Sequence, residues 1–104
     1  MRVISGKFKK KKLLLPNSEI TRPLRDYVKE SLFNLLNHSK LINLQLNNSV
    51  VLDIFSGAGS FGIECLSRGA QKVIFIEQNK NSIDILNKNI KNLSLNEQSN
   101  IICS

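Results

Sequence analysis

The chain has 104 residues, 41% of them hydrophobic, and a formal net charge of +7 at pH 7. This length allows one small domain and is too short for two, and the composition is that of a globular chain rather than a disordered one. Residues 1–40 hold ten basic and three acidic side chains, whereas residues 41–104 hold five of each. A basic front and a neutral body suit a polyanionic partner, although a solvated, solubilising segment has the same composition.

The sequence disfavours a membrane or secreted protein and a metal site. The apolar runs are far shorter than a membrane span, and no apolar stretch of a secretory signal follows the first charges, so we expect no membrane partner. The two cysteines, Cys65 and Cys103, show no metal-ligand spacing. We therefore expect a reduced cytoplasmic protein without a metal site.

The first third of the chain predicts a hairpin and a helix. "MRVISGKFKKKKLLLP" indicates a short strand, a turn at Gly6, a lysine run and a second strand, Leu13 to Leu15, which Pro16 ends. A loop follows. Leu24 to Asn37 is then predicted to be a helix, because apolar residues recur at helical spacing opposite charged ones. The predicted inward stripe is Val28, Leu32, Leu35 and Leu36.

The body alternates strands and helices. "NNSVVLDIF" is an apolar run without alternation, which predicts a strand covered on both faces. A glycine loop follows it, and then a helix from Ser60 to Arg68 with Gly69 at its carboxyl-terminal cap. "KVIFIE" predicts a second buried strand and "NIICS" a third. The helix between them, "NKNSIDILNKNIKNLSL", has its apolar stripe at Ile83, Leu86, Ile90 and Leu93.

This order predicts βαβ units in a parallel sheet. In a doubly wound fold, the strand with the glycine loop lies inside the sheet, and later strands add on its other side. No such strands follow here, so the strand from Val50 to Phe55 is expected to keep an open edge. We therefore interpret the chain as the front half of a larger domain.

The glycine loop raises a choice between two ligands. Gly57 to Gly62 satisfies G-x-G-x-x-G, and Glu77 follows Gly57 by twenty residues, the spacing of a dinucleotide site. Asp53, however, would repel a pyrophosphate. S-adenosylmethionine carries a sulfonium and an ammonium and no phosphate, so the carboxylate favours it. Alternatively, Asp53 caps the turn and Glu77 is a solvated strand end.

These residues also resemble a known family. "VLDIFSGAGSFGIECLSRGAQKVIFIEQN" resembles the motif region of the RsmD-type 16S ribosomal RNA (guanine-N2)-methyltransferases. "RVISGKFKKKKL" is similar to the family's opening hairpin, and "TRPLRDYVKESLFNLL" to its Thr-Arg-Pro segment and following helix. The resemblance covers essentially the whole chain. It implies an α/β fold, the front half of a Rossmann-like class I methyltransferase sheet (βαβαβ) preceded by a basic β-hairpin and a helix.

The resemblance further implies where ligands bind. Residues 1–23 would form a basic hairpin and loop that bind RNA, and residues 24–104 an incomplete S-adenosylmethionine-binding α/β domain. The methionine side of the cofactor would lie against Asp53, Phe55, Gly57, Ala58 and Gly59, while Glu77 and Gln78 would hold the ribose and flank the adenine. The residues expected to contact RNA are Lys7, Lys9, Lys10, Lys11, Lys12, Arg22 and Arg25; the two arginines are equally consistent with solvated loop charges.

The activity implied is methylation of the exocyclic N2 of a guanine in 16S ribosomal RNA, as in the 16S rRNA (guanine(966)-N(2))-methyltransferases. The partner would be 16S rRNA or the small ribosomal subunit, and the complete protein a monomer. The family's Asn/Asp-Pro-Pro-Phe/Tyr motif is missing from this sequence. We therefore assign no catalytic residue and expect little catalysis from these residues alone. The alternatives are a non-catalytic RNA-binding module and, less favoured, a fragment of a dinucleotide-binding oxidoreductase.

Overall fold

The computed structural model describes residues 1–15, 23–38 and 45–104, with the side chains of residues 23–26 left aside. The elements are helix α1 (Pro23–His38), strand β1 (Val50–Ile54), helix α2 (Ser60–Ser67), strand β2 (Lys72–Glu77), helix α3 (Lys80–Asn92), a short 3₁₀ turn (Asn96–Gln98) and strand β3 (Ser99–Cys103). The strands form a parallel sheet in the order β1-β2-β3. The predicted α/β fold with its βαβαβ order is confirmed.

The core lies on the face of the sheet that α2 and α3 cover. Val73 and Phe75 of β2 are fully buried against Ile63 of α2 and Leu86 of α3. These positions follow the two-residue period of a strand and the helical stripe predicted for α3. Burial of such side chains contributes about 1.5–3 kcal/mol each. This packing fixes the position of the loop between β1 and α2 relative to the sheet.

The carboxyl end of α2 has its predicted cap, and the amino end of α3 has a side-chain cap. Gly69 has a φ of 113°, and its N–H donates to the carbonyl of Leu66 at 3.2 Å. The N–H of Ala70 donates to the carbonyl of Cys65 at 3.0 Å. This is the Schellman arrangement, which needs a left-handed residue, so the predicted role of Gly69 is confirmed. Asn79 caps α3 by accepting from the N–H of Ser82.

Strand β1 has one covered and one open face. Val50, Leu52 and Ile54 are 62%, 55% and 54% exposed, whereas Asp53 is buried on the helix side. The prediction that this strand is covered on both faces is wrong for the described part of the chain, because α2 and α3 both pack on the same face. β1 also lies at the edge of the sheet, as predicted. Its apolar sequence is typical of a strand covered on both faces, and the described residues cover one of them.

Helix α1 turns a different face inward from the one predicted. Val28, Leu32 and Leu35 of the predicted stripe are 55%, 40% and 56% exposed. The buried residues between 27 and 38 are Lys29 and Phe33, while Leu36, the fourth residue of the predicted stripe, is half-buried. Three specific contacts decide the orientation of the helix, and they outweigh the period of its apolar residues. The Phe33 ring stacks on Phe61 and lies under the Arg68 guanidinium, and the Lys29 ammonium forms an ion pair with Glu64.

The amino-terminal hairpin forms only in part. Arg2 and Lys12 make one antiparallel bridge, supported by a bond from the Leu13 N–H to the carbonyl of Met1 at 2.8 Å. A second strand over Leu13 to Leu15 does not form, because this arm bonds to a side chain of α3 instead of continuing the ladder. Its side chains still reach the core: Val3 and Leu13 are buried with the residues of the sheet.

The two cysteines lie in different environments. Cys65 is buried in α2, and this burial raises the pKa of its thiol to about 12. Cys103 is exposed on β3, in register with Glu77. In the described ranges, no helix has the length and apolar character needed to cross a membrane.

Candidate functional site

Gly57 and Gly59 lie in the loop between β1 and α2, whereas Gly62 lies in the first turn of α2, and the three glycines have different roles. Gly57 and Gly59 have φ values of 57° and 93°, which L residues rarely adopt. A side chain at Gly57 would meet nothing within 4 Å, whereas one at Gly59 would collide with Leu86 and one at Gly62 with Phe75. Gly59 and Gly62 therefore let the loop and helix pack closely on the core. Gly57 leaves the outer surface of the loop open.

Asp53 lies under the loop. Its side chain is 8% exposed, and its Oδ2 accepts a hydrogen bond from the N–H of Gly62 at 3.1 Å. Burial raises the pKa of this carboxyl to about 6; the Gly62 bond opposes the rise, and the charge of Glu77 adds to it. A cation brought close to Asp53 would lower this pKa again, and would itself be stabilised.

Glu77 lies at the end of β2, beside the outer surface of the loop. Its Oε1 accepts from the N–H of Gly57 at 2.8 Å, and its Oε2 accepts from the N–H groups of Gln78 and Asn79 at 3.0 and 2.9 Å. These backbone bonds lower the pKa of Glu77, those from Asn79 and Gly57 most strongly, so it is ionised at neutral pH. A carboxylate offers about four acceptor positions. Oε1 therefore retains capacity for one more donor, such as a hydroxyl.

Phe55 directly follows β1, and its backbone is strained. Its φ is 63°, an outlier for a bulky residue, and its ring is 87% exposed. Strain of this kind persists only where the surrounding structure holds the residue in place, and it concentrates at functional sites. Ala58, in contrast, is buried, and Gln78 is exposed at the start of the turn into α3.

A carboxylate is therefore bonded to each end of the segment from Gly57 to Gly62, which spans the loop and the first turn of α2. The N–H of Gly57 donates to Glu77 and that of Gly62 to Asp53. Two amides of the kind that would hold a pyrophosphate are thus occupied by anions, and a doubly anionic ligand would meet like charge. These residues fit a ligand with a positive charge and free hydroxyls. Within residues 1–15, 23–38 and 45–104, no cluster of three acidic, histidine or cysteine side chains could hold a metal ion.

The five lysines that are predicted to contact RNA lie on one turn. Lys7, Lys9, Lys10, Lys11 and Lys12 are all exposed. The base of the turn is held firmly, because the N–H of Lys7 donates to the carbonyl of Ser67 at 2.8 Å and that of Phe8 to the Ser67 hydroxyl at 2.9 Å. Arg25 lies in α1, with its side chain outside the described part, and Arg22 lies outside the described residues. Their predicted contacts with RNA stay predictions.

The sequence reasoning missed five buried polar residues: Lys29, Ser56, Glu64, Ser67 and Asn89. Glu64 is fully buried and accepts from the N–H groups of Ile4 and Ser5 and from the side chain of Arg68. A sequence signal was present for Glu64 and Asn89, which lie among apolar positions of their helices, whereas Lys29 lies on the side of α1 that was predicted to be charged. Their partners are distant in sequence, so the pattern could not identify them.

Solved structures define the class of fold. A putative methyltransferase of Escherichia coli matches with a TM-score of 0.81 and 31% identity, over 100% of this chain and 52% of that one. A putative methylase of Haemophilus influenzae matches with a TM-score of 0.70 and 36% identity, over 99% and 51%. The fold is thus the front half of a Rossmann-like class I methyltransferase sheet.

Sequence comparison identifies the family. The chain is 42% identical to the ribosomal RNA small subunit methyltransferase D of Haemophilus influenzae, over 98% of this chain and 50% of the relative. It is 38% identical to a putative rRNA methyltransferase of Bacillus subtilis, over 97% and 52%. The chain spans about half the length of these relatives. The family model described as "Conserved hypothetical protein 95" matches residues 1–104, so the chain belongs to this family, the RsmD-type family that its motifs resemble.

Proposed function

We propose that the chain is the cofactor-binding and RNA-contacting part of an S-adenosylmethionine-dependent methyltransferase that modifies the exocyclic N2 of a guanine in 16S ribosomal RNA. The observation that carries the proposal is the pair of carboxylates bonded to the two ends of the segment from Gly57 to Gly62. They suit a cationic ligand with a ribose. The names of the relatives support the substrate class, and the resemblance supports the guanine.

Each residue of the site has a task in this proposal. S-adenosylmethionine, when bound, supplies an electrophilic methyl group. Asp53 balances the positive charge of the methionine end, and Glu77 accepts a ribose hydroxyl at Oε1. Gly57 allows close approach of the ligand to the backbone, and Gln78 flanks the adenine. Positioning of this kind supplies much of the rate of a direct transfer between two bound reactants.

The basic turn positions the RNA. Exposed lysines contact phosphates and fix orientation without reading sequence. The complete protein acts as a cytoplasmic monomer on 16S rRNA or on the small ribosomal subunit. Replacing Lys9 and Lys11 by Gln is expected to weaken RNA binding and to lower the slope of log affinity against log salt concentration by about 2. The matched control is Lys88→Gln, an exposed lysine on α3.

The decisive experiment is calorimetric titration of the folded chain with S-adenosylmethionine and, separately, with NADH. We expect S-adenosylmethionine alone to bind, and both Asp53→Asn and Glu77→Gln to weaken it roughly tenfold or more, because each removes a charged hydrogen-bonding partner. Glu97→Gln, an exposed change on the 3₁₀ turn, is the control. NADH binding alone would overturn the proposal. RNA binding without any cofactor binding would favour the alternative, a non-catalytic RNA-binding module.

A further inference from the structure

Asn89 joins the amino-terminal segment to the glycine loop. It is 1% exposed on the inward stripe of α3, where an apolar residue would be expected. Its side-chain oxygen accepts from the N–H of Leu14 at 2.7 Å, and its amide nitrogen donates to the carbonyl of Leu14 at 3.1 Å and to that of Ala58 at 2.9 Å. Both amide hydrogens are thereby used, so the polar group is buried without loss.

Lys29 makes a second connection of the same kind. Its ammonium group, on α1, donates to the carbonyl of Arg2 at 2.9 Å and to the hydroxyl of Ser60 at 3.0 Å, and lies 3.2 Å from Oε1 of Glu64. The same Glu64 binds the backbone of Ile4 and Ser5. One buried ammonium thus links the first residues of the chain to the first residue of α2.

The two connections meet the loop on both sides of Gly59. Asn89 holds the residue before this glycine, and Lys29 holds the residue after it. At their other ends, they hold the two arms from which the basic turn projects, at Leu14 and at Arg2. A displacement of the loop must therefore strain or break bonds to the arms, and the reverse holds as well. Buried polar bonds suit this purpose, because a bond lost there leaves an unsatisfied group.

We propose that Asn89 and Lys29 are positioning residues that lock the glycine loop to the basic amino-terminal segment, so that a ligand at the loop and RNA at the segment strengthen each other's binding. The two ligands are those of the proposed function, on which this inference rests. Ordering of the loop by the first ligand also orders the arms, so the second ligand meets a segment that is already rigid. The coupling is reciprocal.

The first test needs no ligand. Amide hydrogen exchange is measured on the wild-type chain and on Asn89→Leu, with Asn87→Leu, an exposed position of the same helix, as the control. We expect Asn89→Leu to accelerate exchange at Leu14 and at loop residues 57–60 together, while Phe75 in β2 keeps its wild-type rate. Acceleration at Leu14 alone would overturn the proposal, and so would a uniform change that includes Phe75.

The second test measures the coupling itself. The affinity of a fluorescently labelled RNA stem-loop is determined with and without saturating S-adenosylhomocysteine, the demethylated product. We expect the product to tighten RNA binding roughly fivefold or more in the wild-type chain. In Asn89→Leu this factor should fall close to one. Ser60→Ala, which removes only one bond of Lys29, should reduce it in part and is the milder variant if Asn89→Leu folds poorly.

The outcomes separate the two proposals. Binding of both ligands to the wild-type chain without coupling contradicts the positioning role and leaves the proposed function standing. A coupling factor unchanged in both Asn89→Leu and Ser60→Ala contradicts it as well. Failure of the wild-type chain to bind S-adenosylmethionine contradicts the proposed function, and the exchange measurement then decides on the mechanical connection alone.

Discussion

The glycine loop has an inner side and an outer side that obey different constraints. On the inner side, Gly59 and Gly62 face Leu86 and Phe75 so closely that no side chain fits. On the outer side, Gly57 faces open space, and the Phe55 ring is exposed. One short motif therefore combines a packing requirement with a binding requirement. Variants on the inner side should chiefly lower stability, and variants on the outer side should chiefly lower ligand binding.

The largest expected effect concerns Asp53, which lies between the two sides. Its pKa is raised from 3.8 to about 6. Between these two pH values the folded chain therefore retains a proton on Asp53 that the unfolded chain has lost. Stability from this group is present at low pH and is lost as the pH rises from about 4 to 6, by about 3 kcal/mol. Asp53→Asn should remove this dependence. Urea denaturation of both chains at pH 4 and pH 7 measures it, and parallel pH dependences would contradict the assignment.

Gly62→Ala tests the inner side. The added methyl group would overlap the Phe75 ring, which is fully buried and cannot move aside freely. We expect the free energy of unfolding to fall by about 2 kcal/mol, as in other overpacked cores. Thermal or urea denaturation measures this change. An unchanged midpoint would show that the ring relaxes.

Gly57→Ala is the matched change on the outer side. Its methyl group meets no atom of the chain, so the only cost in stability is about 1 kcal/mol for the left-handed backbone. Binding of S-adenosylmethionine should nevertheless be lost, because the methyl group occupies the surface that the ligand approaches. Calorimetry on the folded variant measures the affinity. Binding equal to that of the wild-type chain would place the ligand elsewhere.

Phe55→Ala should change stability least. The ring is 87% exposed, so its removal is expected to alter the free energy of unfolding by less than about 0.5 kcal/mol. A severalfold loss of cofactor affinity is still expected if the ring lines the ligand. The same two measurements, denaturation and calorimetry, apply. A clear loss of stability would indicate that the ring packs on the chain instead.

Much of the fold was predictable because it depends on local patterns. The alternation of strands and helices, the cap at Gly69 and the stripe of Leu86 and Ile90 all rest on short-range periodicity or backbone conformation. The placement of Asp53 and Glu77 beside the loop also followed, since both lie at the carboxyl ends of neighbouring parallel strands. Contact of these carboxylates with Gly62 and Gly57 was not predictable, because it depends on side-chain geometry.

The wrong predictions for α1 and β1 both concern contacts that short-range periodicity does not encode. The inward face of α1 was predicted from its apolar residues, but the Lys29–Glu64 ion pair and the stacking of Phe33 on Phe61 orient the helix. Glu64 is thirty-five positions from Lys29 in the sequence, and no periodicity connects them. β1 was expected to be covered on both faces because its sequence is apolar throughout. That sequence is suited to neighbours that the described residues do not supply.

The contrast between the two cysteines makes the chain easy to label at one position. A thiol with a pKa near 12, buried in α2, does not react with alkylating reagents at neutral pH, whereas the exposed Cys103 is accessible to them. Cys103 lies in register with Glu77 on the neighbouring strand. A fluorophore attached there without mutagenesis would stand beside the carboxylate that we propose binds the ribose, and its emission would report occupancy of the site during a titration.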